Sequence, residues 1–229
     1  GTRTFNPTAS YTFNAAAATQ ISGFATGTAI TGAQSITVNN QSAPTAGALQ
    51  MDNGITLTGS LTVQRGTFDC GAQNHAFNGG ANTVVLSPGT IFLRRTGNVT
   101  AAAGTFQYQT GTPNAQLQYD ATGAVVTDGE LPASMPGDVQ IVLNTSLQLN
   151  SAKSINGVLT VNGTLDCAGF SLSQNGSFTA NATGIIDLKA GTLTWNGNIT
   201  FVTGSMFQDN SGGGGGSLTL AGTGTITGE

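Results

Sequence analysis

Residues 158–173 read Val-Leu-Thr-Val-Asn-Gly-Thr-Leu-Asp-Cys-Ala-Gly-Phe-Ser-Leu-Ser. Leu159, Val161, Leu165, Cys167, Phe170 and Leu172 alternate with Thr160, Asn162, Thr164, Asp166, Ser171 and Ser173. A period of two puts one set of side chains on a buried face of a strand and the other set on an exposed face. Asn162-Gly163 and Ala168-Gly169 are turn signals, so the strands they separate are only roughly three to five residues long. In this register Leu165 faces a core, and Thr164 and Asp166 face solvent.

The same pattern occurs earlier in the chain. Leu61-Thr62-Val63 followed by Gly66-Thr67-Phe68-Asp69-Cys70 is the counterpart of Leu159-Thr160-Val161 followed by Gly163-Thr164-Leu165-Asp166-Cys167. Thr90–Thr100 returns in shortened form as Thr192–Thr200, and Phe13-Asn14-Ala15 as Tyr119-Asp120-Ala121. The period is about 100 residues, and repetition at a fixed period signals stacked architectures. The step Gly1-Thr2, Gly104-Thr105, Gly204-Ser205 divides the chain into residues 1–103, 104–203 and the start of a third unit, 204–229. Short strands, frequent Gly turns and no 3.6-residue period, even at the alanine run Ala15–Ala18, predict an all-β, right-handed parallel β-solenoid. Coils of roughly 18–22 residues would give about 11 turns and, at ~4.8 Å per turn, a rod roughly 50 Å long. The alternative is a pair of tandem β-sandwiches.

Composition narrows the function classes. Charged residues are 7% of the 229, Gly numbers 34, and the net charge is −4. So small an ionisable content offers no basic footprint for nucleic acid. No apolar run reaches the length of a membrane span, and no signal peptide opens the chain at Gly1, which reads as a mature or excised segment. Cys70 and Cys167 occupy equivalent slots in different repeats and are expected to be separate, inward-facing, reduced thiols.

Three stretches carry a resemblance. Gly1-Thr2-Arg3-Thr4-Phe5 with Tyr11-Thr12-Phe13-Asn14, Ser35-Ile36-Thr37-Val38-Asn39-Asn40, and Thr127-Asp128-Gly129-Glu130-Leu131-Pro132 leading to Leu159–Asp166 resemble a repeat of giant secreted surface proteins of Bacteroidetes-type bacteria. The resemblance implies type IX secretion, a cell-surface location and an adhesin or scaffold role. It supplies no catalytic residues, and the C-terminal sorting domain usual in that family is not visible.

Individual residues are read against this background. His75, the single histidine, has no second ligand at metal spacing and reads as a turn or surface residue. Asp69 and Asp166 could suggest a glycosidase pair, but as repeat equivalents they stand too far apart for that chemistry. Asp128 and Glu130 read as solvated turn residues beside a loop excursion at Pro132 and Pro136. Arg94-Arg95, next to Phe92, reads as a solvated edge, with docking of an acidic glycan as the alternative. Trp195 reads as core, its indole N–H partnered. The sequons at Asn40, Asn98, Asn144, Asn162, Asn175, Asn181 and Asn198 follow from composition. Gly212–Gly216 reads as a flexible loop or bulge. Thr56, Thr58, Thr223, Thr225 and Thr227 form Thr-x-Thr steps that suggest ice binding, although Asn, Gln and Asp interrupt the ladder between coils.

The sequence thus predicts a non-enzymatic extracellular structural segment of an adhesin, stalk or filament, with no cofactor and no metal. Neither end looks like a cap, so end-to-end self-association or continuation of a longer chain is expected. Surface glycans are candidate partners. The alternatives are a polysaccharide-binding or polysaccharide-cleaving β-helix and an ice-binding solenoid.

Overall fold

The computed structural model describes residues 9–14, 19–24, 28–30, 34–40, 48–212, 215–221 and 226–227. The expected starting step at Gly1 and the run Ala15–Ala18 lie outside them. The described strands are parallel and stack as a β-solenoid of about nine turns, with no helix. The expected count of 11 is too high because the early coils are long. Tyr11 pairs with Ile36 and Ile36 with Leu61, a coil of 25 residues, whereas Leu147 pairs with Leu165, a coil of 18.

The chain forms two compact units, Gly1–Leu117 with Asp128–Pro132, and Gln118–Thr127 with Ala133–Glu229. In the first unit the chain runs through β1 (Tyr11–Phe13), β2 (Gln20–Ile21) and β3 (Thr28–Ile30), then β4 (Ser35–Asn39), β5 (Ala48–Gln50) and β6 (Ile55–Leu57). It continues through β7 (Ser60–Arg65), β8 (Thr67–Asp69) and β9 (His75–Phe77), then β10 (Val84–Leu86), β11 (Ile91–Arg94) and β12 (Val99–Ala101), and on to β13 (Phe106–Tyr108). Three parallel sheets result: β1-β4-β7-β10-β13, β2-β5-β8-β11 and β3-β6-β9-β12. Strand β14 (Gln116–Tyr119) contains the division between the units.

The second unit runs through β15 (Gly123–Val126), β16 (Ser134–Met135) and β17 (Asp138–Ile141), then β18 (Thr145–Gln148), β19 (Lys153–Ile155) and β20 (Leu159–Val161). Next come β21 (Thr164–Asp166), β22 (Ser171–Gln174) and β23 (Phe178–Ala180), then β24 (Ile185–Asp187), β25 (Thr192–Trp195) and β26 (Ile199–Phe201). The last coil holds β27 (Met206–Gln208), β28 (Ser217–Leu220) and β29 (Ile226–Thr227). Its sheets are β15-β18-β21-β24-β27, β16-β19-β22-β25-β28 and β17-β20-β23-β26-β29.

In-register stacking turns alternation within each strand into apolar columns along the coils. Val38, Val63, Leu86 and Tyr108 pair in sequence and are all buried. Phe68 stacks on Phe92 at 5.6 Å, and Phe92 meets Phe106 edge-on at 5.0 Å. In the second unit Phe178 lies 4.9 Å from Trp195. Each such buried side chain contributes roughly 1.5–3 kcal/mol. Leu159, Val161, Leu165, Cys167 and Leu172 point inward as their alternation requires.

Phe170 does not; it is 38% exposed. Ala168 and Gly169 both have positive φ, and the Phe170 N–H donates to Cys167 O at 2.8 Å. That tight turn resets the phase before β22. The recurring Gly-Thr/Ser step is also a turn. Gly104 and Gly204 have positive φ, and the next residue's N–H closes back on Ala102 O or Val202 O, just before β13 and β27. The excursion near Pro132 is real in part, because Asp128–Pro132 belongs to the first unit and buries Leu131. In the glycine run, Gly212 has positive φ and the Gly216 N–H donates to Asp209; Gly213 and Gly214 lie outside the described residues.

Candidate functional site

The repeated Asp-Cys motif builds a corner. Asp69 ends β8 and Asp166 ends β21, and each carboxylate folds forward to cap the next turn. Asp69 Oδ1 accepts the Gly71 N–H and Asp166 Oδ1 accepts the Ala168 N–H, both at 2.8 Å. A short carboxylate there supplies the acceptor that a turn N–H otherwise lacks. A cation from the next coil then clamps each corner. Arg95 Nε lies 3.0 Å from Asp69 Oδ1, and Lys189 Nζ lies 2.5 Å from Asp166 Oδ2. Both aspartates are buried, which corrects the outward placement of Asp166, while Arg95 stays half-exposed at the edge and holds Asp69 from there. Asp187 stacks in register on Asp166 and accepts the Asn210 side-chain N–H at 2.8 Å.

Arg94 and Glu130 are the second correction. Neither is solvated: Arg94 is 2% exposed and Glu130 fully buried, and they form an ion pair. The Glu130 carboxylate also accepts the Asp128 N–H, and its backbone carbonyl accepts the Tyr108 hydroxyl at 2.8 Å. Burial raises the Glu130 pKa, against the opposing pull of the Arg94 guanidinium. Sequence gave no sign of this pair because its partners are far apart in the chain.

His75 is buried in β9, not on the surface. Its Nδ1 accepts the Ile55 N–H at 3.3 Å, so Nε2 carries the proton and donates to Cys70 O at 2.7 Å. Burial lowers its pKa. The ring therefore acts as a neutral tie between coils. Cys70 and Cys167 are separate free thiols, both buried. Burial, then the neighbouring carboxylates Asp166 and Asp187, push Cys167 up to about 12, and burial raises Cys70 as well. Trp195 is core as expected, but its indole N–H has no hydrogen-bond partner among the described residues.

Two outward-facing surfaces among the described residues carry polar side chains in register. In the first unit a groove of about 500 Å³ crosses β6, β9 and β12. Thr56, Ala76 and Thr100 lie in register along it, and Gln73, Asn74 and Asn98 line its side. In the second unit the outward positions of β19, β22, β25 and β28 carry hydroxyls. Ser154, Ser173, Thr194 and Thr219 form one column, and Ser171, Thr192 and Ser217 its neighbour. Within these columns no Asn, Gln or Asp intervenes. Among the expected threonine steps, Thr56 is followed in register by Ala76, while Thr223, Thr225 and the side chain of Thr227 lie outside the described residues. Alongside runs an amide ladder, with Asn196 donating to Asn175 at 2.6 Å and Asn175 to Asn156 at 2.7 Å. The sequon asparagines Asn162 and Asn181 are hydrogen-bonded to each other, and Asn40 is buried.

Among the described residues, no group of three or more His, Cys, Asp or Glu is placed to hold a metal ion, and no helix is long and apolar enough to cross a membrane. No protein-family model, curated protein or solved structure matches the chain.

Proposed function

We propose that this chain is a non-enzymatic, extracellular structural segment of a cell-surface adhesin, stalk or filament, extended by further coils stacking on its own. The observation that carries this reading lies at the last coil. Leu218, Leu220 and Phe207 are in register with the buried Leu193, Trp195 and Ile186, yet are 42%, 52% and 39% exposed. A further parallel coil stacked in register on these side chains would cover them while pairing the strand edge. A second copy of the chain is the source of that coil in this reading. The use of the chemically versatile residues supports the same reading. Asp69, Asp166, Arg94, Arg95, Glu130, His75 and Lys189 all tie coils together. The test is sedimentation and negative-stain electron microscopy of the 229-residue chain and a Leu218→Lys, Leu220→Lys variant. Concentration-dependent rods that the substitutions disperse are expected. A monomer at all concentrations that is unchanged by the substitutions refutes stacking by a second copy.

The two hydroxyl columns on β22, β25 and β28 favour one secondary reading, binding to ice through a repeating array of hydroxyls. Freezing-point depression beyond the colligative value, abolished by Thr194→Lys, is its test.

A further inference from the structure

We infer that the groove across β6, β9 and β12 of the first unit binds an uncharged polysaccharide strand. At about 500 Å³ it falls in the size range of small-ligand sites. Its floor is Ala76, which stands in register between Thr56 and Thr100. A methyl between two longer side chains leaves the depression. Its wall is the stacked corner, where Gln73, Asn74 and Asn98 present amides. Glycines let that wall close up. A Cβ on Gly54 would strike the Asn74 carbonyl, and one on Gly97 the Gln73 carbonyl, well inside van der Waals contact. The wall therefore repeats from coil to coil at ~4.8 Å, while the floor is deepest at the single Ala76 coil. That interval is of the same order as one pyranose ring along a glycan, so successive rings can meet successive coils.

The lining chooses the ligand. Hydroxyls and primary amides each both donate and accept, which suits a polymer whose own groups are hydroxyls. No charged side chain lines the groove, so an anionic or cationic polymer finds no counter-charge there. The pair of carboxylates that glycoside cleavage requires is also missing from it. The site binds and does not cut. Thr56 and Gln73 line the groove, while Asn74 Oδ1 is committed to the Asn98 N–H at 2.8 Å. This inference is independent of end-to-end stacking, since a chain that binds no glycan can still form rods.

The test is isothermal titration of the 229-residue chain with hexasaccharides of β-1,4-glucan, β-1,3-glucan, β-1,4-mannan and β-1,4-xylan, with hexagalacturonate and chitosan hexamer as charged probes. At least one neutral probe should bind with Kd below about 10 mM. Ala76→Met, which fills the floor, should weaken binding at least about tenfold, and Gln73→Ala or Thr56→Ala should weaken it several-fold by removing a hydrogen bond. Thr179→Met, on an outward position of the second unit, should leave it unchanged. Thermal unfolding of each variant separates lost binding from lost fold, and the two alanine variants carry the test where Ala76→Met fails to fold. The inference is overturned by any of three results: no neutral probe binding at about 10 mM, charged probes binding as tightly as neutral ones, or all three groove variants binding like the parent.

Discussion

Removing the Glu130 carboxylate should strongly destabilise the first unit. Glu130→Ala strands the Arg94 guanidinium, which is 2% exposed and keeps only a 3.3 Å bond from Nε to Gly97 O. Breaking a buried ion pair from one side costs about 3–5 kcal/mol, because the remaining charge is desolvated without its partner. The substitution also leaves the Asp128 N–H without the carboxylate it now donates to. The double variant Arg94→Met, Glu130→Leu removes both charges, and such replacements are neutral or stabilising by about 1–4 kcal/mol. Glu130→Gln should fall between the two, since the amide oxygen can still accept from Asp128 but carries no charge.

Urea unfolding followed by mass-resolved thiol labelling reads the result. Cys70 reports the first unit, and Cys167 and Trp195 fluorescence report the second. With slopes of about 1–3 kcal/mol per molar urea, the Cys70 midpoint should fall by about 1–5 M in Glu130→Ala and recover in the double variant. A single-variant cost below about 1 kcal/mol, or a double variant as unstable as the single, would refute the reasoning.

Three further outcomes are expected. Leu165→Asp should abolish cooperative unfolding of the second unit, because it places an unpaired charge in the core, while Asp166→Ala should cost about 1.5–3 kcal/mol through the lost Ala168 and Lys189 bonds; urea melts followed by Trp195 fluorescence check both, and a silent Asp166→Ala would return that residue to the surface. The stability contributed by His75 should be fully present above pH 6.5 and fall as pH drops through its lowered folded pKa, because the unfolded state then binds the extra proton. An NMR titration of the ring with its midpoint above 6.5 would contradict this. With its pKa near 12, the Cys167 thiol should resist iodoacetamide at pH 8 in the folded protein and react on unfolding, and equal rates in both states would show that the corner is open.

The inward pattern was legible because parallel stacking repeats one simple rule. Once Leu159 and Val161 face in, register obliges Phe178 and Ala180 to do the same. The alternation failed where a turn interrupts the strand. Phe170 follows two residues of positive φ, and Asp166 sits at a strand end where its carboxylate reaches the turn N–H more easily than water. A polar residue at an alternating position reads as outward only if no local donor competes for it. The same Asp-Cys motif at Asp69 shows that this signal was present, in a repeated carboxylate two residues before a turn residue of positive φ. The Arg94–Glu130 pair and the ring bonds of His75 had no such local trace. Each depends on which residue the neighbouring coil delivers, and that depends on coil lengths the turns do not declare.

Coil length also bears on why the scaffold buries the carboxylates of Asp69, Asp166 and Glu130. A solenoid of identical coils could fill its corners with apolar side chains, but here the spacing changes from 25 residues in the early coils to 18 between Leu147 and Leu165. Wherever a coil shortens or lengthens, an extra or missing residue leaves backbone N–H groups at the corner without a ladder partner. The buried carboxylates sit at such corners. Asp69 and Asp166 take the N–H of the following turn, and Glu130 takes that of Asp128. The cations follow from this, because a buried carboxylate is tolerable only when paired. Arg95 and Lys189 reach theirs from one coil further on. A chain with only 6 basic residues has committed Arg94, Arg95 and Lys189 to this work. The groove on β6, β9 and β12 is left to hydroxyls and amides, which is the chemistry it offers to an uncharged polymer.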